Sequence, residues 1–210
     1  MPQETRTETR AAAIAAKLIA GESHTWRSAF ETARRETGAN PPEGAVAREI
    51  RRWYALFAPE AHARTLREKR RAALAFMRRA RGLDLCLTGV VLSGCATEDS
   101  VVELALRAES EKEAAIALLN AGLPADPFDG AYPTAFARAA AKRGALTATL
   151  ASSSADEPVL IRVVAPHWAL PAAARPDEWQ HPLEAAGALD AAGLSELLEF
   201  AALHPSGMKD

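Results

Sequence analysis

Cysteine is almost absent from this chain of 210 residues, which carries only Cys86 and Cys95. That pair makes neither a CxxC motif nor a disulfide framework. The expectation is two small apolar side chains in a reducing cytoplasm. Histidine is scarce too. His24, His62, His167, His181 and His204 show no HxH, HExxH or i, i+4 pairing, so the sequence offers no zinc site. Long apolar runs are missing, since none reaches the roughly 18 to 20 residues of a membrane span. The opening Met1-Pro2-Gln3-Glu4 has neither the basic nor the apolar region of a secretory signal. Membrane and secreted readings drop out, and a cytoplasmic protein is expected.

What is present is alanine, which supplies nearly half of the 49 % apolar residues. Alanine, with arginine far above lysine, favours helix. The length suits one large domain or two small ones. A net charge of −2 hides a division along the chain. Residues 1–82 hold 17 Lys+Arg against 9 Asp+Glu, whereas 83–210 hold 8 against 18. Such asymmetry marks two modules with different partners, or two modules that dock on each other.

The basic part, 1–82, reads as a helical region. Helices are expected over Ala11–Ala20, over Trp26–Thr37 with Ser23 or Thr25 as cap, over about 43–57, and from Pro59 to about Arg81. In the third, Val46, Ile50, Trp53, Tyr54 and Phe57 recur at spacings of three and four and make one apolar face. The fourth is studded with cations, among them Arg64, Arg67, Arg70, Arg71 and Arg78. A stripe of this kind can neutralise phosphates, which makes nucleic acid a candidate partner. A solvated face, or one docked on the acidic part, is the competing reading.

From residue 83 the period changes. Leu85–Leu92 and Val101–Leu106 are β-rich runs around a polar loop. Glu111–Ala121 reads as helix with Ser110 as N-cap, and 123–134 as loop. Ala145–Ala151 and Val159–Val164 read as a hairpin with a solvated acidic tip. A Pro-rich passage, 166–182, precedes a last helix that starts near Leu183 or Ala191 and runs to Leu203. Val101–Leu106 is expected in the centre of the sheet. Helices first, then a mixed sheet with flanking helices over 83–210, make an α+β protein.

The segment Gly89-Val-Val-Leu-Ser-Gly94-Cys-Ala96-Thr-Glu-Asp-Ser100-Val101-Val102-Glu103-Leu104 resembles the core signature of the nucleotidyltransferase superfamily, the polymerase β-like and minimal nucleotidyltransferases. Leu118-Leu119-Asn120-Ala121-Gly122 and His181-Pro182 are similar to segments of one bacterial family that carries this domain behind an N-terminal helical region. Some members of that family bear the name UDP-N-acetylmuramate–alanine ligase. The chain lacks the Gly-x-Gly-Lys-Thr/Ser phosphate loop that ligase chemistry would use, so that label is set aside.

The resemblance implies a strand carrying two carboxylates at i and i+2, on one face because side chains alternate. With a third from a neighbouring strand, these hold two Mg²⁺ ions roughly 4 Å apart and a nucleoside triphosphate. Here the first acid position is Val101, the third falls where Arg162 stands, and Val90 replaces the serine of the signature. Glu103 alone remains as a catalytic candidate. The expectation is a protein of this fold that has lost metal-dependent catalysis, with no resident metal or cofactor, and that serves in binding or assembly. Gly89, Gly94, Ser100 and Arg162 are its candidate ligand-binding residues for a nucleotide or small anion, unless Arg162 pairs with Glu103 and closes the site. An active Mg²⁺-dependent nucleotidyltransferase with an altered acid set, and a nucleic-acid-binding protein using the basic helices, are the alternatives.

Overall fold

The computed structural model describes residues 5–130 and 134–203. His204 and the opening Met1–Glu4 lie outside them. Four helices come first. Helix α1, Arg6–Glu22, starts earlier than the alanine run because Thr5 and Glu8 form a reciprocal capping box. Thr25 caps α2, Trp26–Thr37, through the backbone N–H of Ser28, and the helix stops at Gly38 in the left-handed region. Helix α3 spans Glu43–Phe57, and α4, Pro59–Arg79, opens on a proline that needs no amide partner.

Small side chains decide how α1, α2 and α3 pack. Ala11, Ala12, Ala15 and Ala16 of α1 and Ala29 and Ala33 of α2 are all buried, and let the backbones approach around Ile19, Val46 and Ile50. Helix α4 belongs to a different core. Its Leu66, Phe76 and Met77 pack with the sheet.

That sheet has five strands in the order β1-β2-β5-β4-β3. They are β1 (Leu85–Thr88), β2 (Val102–Arg107), β3 (Asp126–Pro127), β4 (Leu146–Ser152) and β5 (Val159–Val164). Strands β2 and β5 run parallel and the other neighbours antiparallel, so the sheet is mixed and the class is α+β. Strand β2 is interior, but the middle position belongs to β5, a correction to the expected order. Helices α6 (Glu111–Asn120) and α8 (Ala191–Leu203) join α4 on one face, over Leu104, Leu150, Ile161 and Val163. On the opposite face α7 (Ala135–Lys142), unforeseen in the sequence, brings Phe136 against Trp168 edge-to-face at 5.3 Å.

The expected strand over 85–92 is half right. Gly89, at φ +71°, turns the chain after β1, and Gly89–Leu92 form a single helical turn, α5. A Val-Leu run reads as strand by composition, but it cannot continue one through a left-handed residue. The passage from Ala165 to Asp190 crosses back over the helical side as a strap whose one regular piece is a 3₁₀ turn, Pro182–Ala185. At its end Leu189 bridges to Leu87, with N–H···O distances of 2.7 and 3.0 Å. Among the described residues no helix is long and apolar enough to cross a membrane.

Candidate functional site

Side-chain alternation sends Glu103 and Arg162 to the α7 face, away from the large apolar core. The parallel register pairs Glu103 with Leu160 and Ala105 with Arg162, so the acid and the base are diagonal neighbours within reach of each other. They meet. Arg162 donates from Nε to Glu103 Oε1 at 2.7 Å, with the two residues 3 % and 2 % exposed. Thr134 donates its hydroxyl to the same oxygen at 2.6 Å. That hydroxyl also accepts the Ala137 N–H at 3.1 Å, capping α7. The Nη1 of Arg162 reaches Thr149 Oγ1 at 3.0 Å.

The second carboxylate oxygen, Glu103 Oε2, is buried with no hydrogen-bond partner. It lies against Gly89, where a Cβ would stand 2.5 Å from it. Gly89 is therefore required twice, by its positive φ and by this close approach.

The sequence also singled out Gly94 and Ser100, which the structure gives other neighbours. Gly94, at φ +74°, faces Glu184, whose two carboxylate oxygens would lie 3.2 Å from a Cβ there. Arg70 of α4 holds that acid at 2.5 Å, and donates to the carbonyls of Val91 at 3.0 Å and Leu92 at 3.1 Å. Arg51 of α3 donates to Ser93 O at 2.9 Å and pairs with Asp177 of the strap. Two buried guanidinium groups thus collect the carbonyls at the end of α5 and two strap carboxylates. Cys95 lies beneath, 1 % exposed, and burial pushes its thiol pKa up against the opposing pull of Arg51. Ser100 Oγ accepts the Thr97 N–H at 2.9 Å and pins the turn before β2.

The basic stripe divides. Arg64, Arg71 and Arg78 are exposed and Arg67 half-buried, but Arg70 is 4 % exposed and spent on Glu184. As a nucleic-acid contact Arg70 is corrected: it is an internal clamp. Lys69, 3 % exposed, pairs with Glu157 at 2.9 Å. The hairpin tip, expected to be solvated, is therefore tied to α4.

Sequence reasoning missed Thr134, Thr149, Arg51, Asp177 and Glu184. Two signals were available: Thr134 as an N-cap ahead of the alanine-rich Ala135–Lys142, and the reciprocal cap of His181 and Glu184, the second hidden because histidine takes the place of the usual serine or threonine.

Among the described residues no group of three or more His, Cys, Asp and Glu side chains gathers where it could hold a metal ion. Fold and site together define an α+β protein whose one interior-strand acid is closed off by an arginine and a threonine. Comparisons with protein-family models, with curated proteins and with solved structures find no match.

Proposed function

We propose that the chain is a nucleotidyltransferase-fold protein that has given up metal-dependent nucleotidyl transfer and acts as a cytoplasmic binding or assembly protein. One observation carries the reading: the Glu103–Arg162 pair at 2.7 Å. A two-metal centre needs several carboxylates with free oxygens turned to one point. The other acid positions of the signature are Val101 and Arg162, and Glu103 Oε1 is already shared between a guanidinium and a hydroxyl. A cation approaching Glu103 meets the charge of Arg162, which opposes it. The Arg162 fork is engaged with Thr149 as well, which favours a structural pair over an anion-binding residue.

The test is incubation of the whole chain with each labelled nucleoside triphosphate and Mg²⁺, with RNA or protein acceptors, beside a thermal-shift series of the same nucleotides. No Mg²⁺-dependent incorporation is expected. Incorporation that disappears in Glu103→Gln would overturn the reading and install the active alternative.

A second reading, nucleic-acid binding, is favoured by a separate observation. Arg64, Arg67, Arg71 and Arg78 lie along one side of α4, while Lys69 and Arg70 turn inward. Fluorescence anisotropy with a labelled oligonucleotide should then show affinity that falls steeply with salt and weakens in an Arg64→Glu, Arg71→Glu variant.

A further inference from the structure

A cavity of about 340 Å³ opens where α4 meets the Thr97–Ser100 turn and the tip of the β4–β5 hairpin. Arg64, Glu68 and Lys69 of α4 line it together with Glu98 and Glu157. The site is distinct from Glu103 and lies within the unit that α4 builds with the sheet.

Its walls are held. Lys69, almost fully buried, fastens the hairpin tip to α4 through Glu157 at 2.9 Å. Ser100 Oγ, on the Thr97 N–H at 2.9 Å, holds the turn that presents Glu98. Arg64 and Glu68 stand four residues apart on a rigid helix, hence on one side of it. Lys69 and Glu157 cancel each other. The side chains of Arg64, Glu68 and Glu98 make no hydrogen bond or ion pair with the described residues. One free guanidinium and two free carboxylates therefore face a small open space with a net charge of −1.

That balance selects a ligand. A polyanion meets Glu68 and Glu98, and a simple diamine meets Arg64. A molecule with one carboxylate and two ammonium groups satisfies all three and leaves the site neutral. Arginine forks suit carboxylates, and carboxylates suit ammonium donors. We propose that this cavity binds a dibasic amino acid of the lysine or ornithine type, its α-carboxylate on Arg64 and its two ammonium groups on Glu68 and Glu98. The proposal stands whether or not the chain transfers nucleotides.

Isothermal titration of the full chain with L-lysine tests it, with L-alanine and putrescine titrated in parallel. Arg64→Ala and Glu98→Gln are the variants. Both residues are exposed, and circular dichroism checks that both variants fold. Saturable binding of lysine is expected with a Kd on the order of 1 mM. Each variant should weaken it roughly tenfold, and alanine should bind far more weakly. Absence of lysine binding would overturn the proposal, as would binding unchanged in both variants. Putrescine binding as tight as lysine would reduce the cavity to an acidic patch and overturn it equally.

Discussion

Arg70 and Glu184, 114 positions apart in the chain, meet at 2.5 Å over the turn that holds Gly94. The contact joins a helix that packs on the sheet to a strap with almost no regular structure of its own. Removing the acid leaves a guanidinium buried without its counter-charge. Glu184→Ala should therefore cost about 3–5 kcal/mol of folding free energy, read by urea denaturation. By contrast Arg52, more than half exposed and 3.5 Å from Glu49, should lose no more than about 0.5 kcal/mol as Arg52→Ala.

The Glu103–Arg162 pair should behave as a unit. Glu103→Gln leaves Arg162 charged in a buried place, and Arg162→Met leaves the carboxylate charged there. Each single change is expected to destabilise by about 3 kcal/mol or more, and the double variant by less than the sum. A double-mutant cycle in denaturant measures the coupling, and simple additivity would show that the pair contributes nothing.

Gly89→Ala tests the geometry beneath that pair. The new methyl would meet Glu103 Oε2 at 2.5 Å from a backbone at positive φ. A loss of about 2–4 kcal/mol is expected from strain and crowding together. Gly38→Ala, also at positive φ but with open space around its Cβ position, should lose only the backbone part, about 1–2 kcal/mol. Thermal denaturation of the two variants side by side separates the contributions.

His62 stacks on Tyr54 with ring centroids 3.9 Å apart and planes 4° from parallel. Burial, with the nearby charge of Arg70, holds its pKa down at about 4 instead of 6.5. Its Nε2 is buried without a hydrogen-bond partner. The unfolded chain therefore takes up this proton first as pH falls. The contribution to stability is complete above pH 6.5 and is lost progressively between 6.5 and 4, by up to about 3 kcal/mol. His62→Phe keeps the stacked ring and should flatten that part of the pH–stability curve.

Both thiols should be silent in the native protein. Cys95 is 1 % exposed and Cys86 9 %, and burial pushes both pKa values up. Ellman's reagent is expected to titrate neither at neutral pH within minutes, and both once the chain is unfolded.

The helices were legible because their signals are local. Thr25 and Ser110 cap, Gly38 stops, and alanine spacing marks the buried sides, all within a few residues of one another. The interior strands β2 and β5 were legible as short apolar runs, although their parallel pairing joins residues far apart in the chain and left no local trace. Helix α5 was misread because Val90, Val91 and Leu92 favour strand, and one backbone angle at Gly89 outweighs them. The Glu103–Arg162 contact was foreseeable as one of two outcomes. Its Thr134 partner was not, since it arrives with α7, a helix of only eight residues whose N-cap is Thr134 itself. The clamps on Asp177 and Glu184 were invisible for the same reason that makes them important: each spans more than a hundred residues.

The bridge between Leu87 and Leu189 bears on how this protein meets other molecules. Strand β1 ends the sheet on one side, and a free outer strand is a template on which a second chain can add. Leu189 takes up the Leu87 N–H and C=O groups that such an addition would need. At the far side β3 is two residues long, and one of them, Pro127, has no N–H to offer. Strand addition is thus hindered at Leu87 and at the short β3, whereas Phe57, Leu119 and Leu203 stand exposed on the helices.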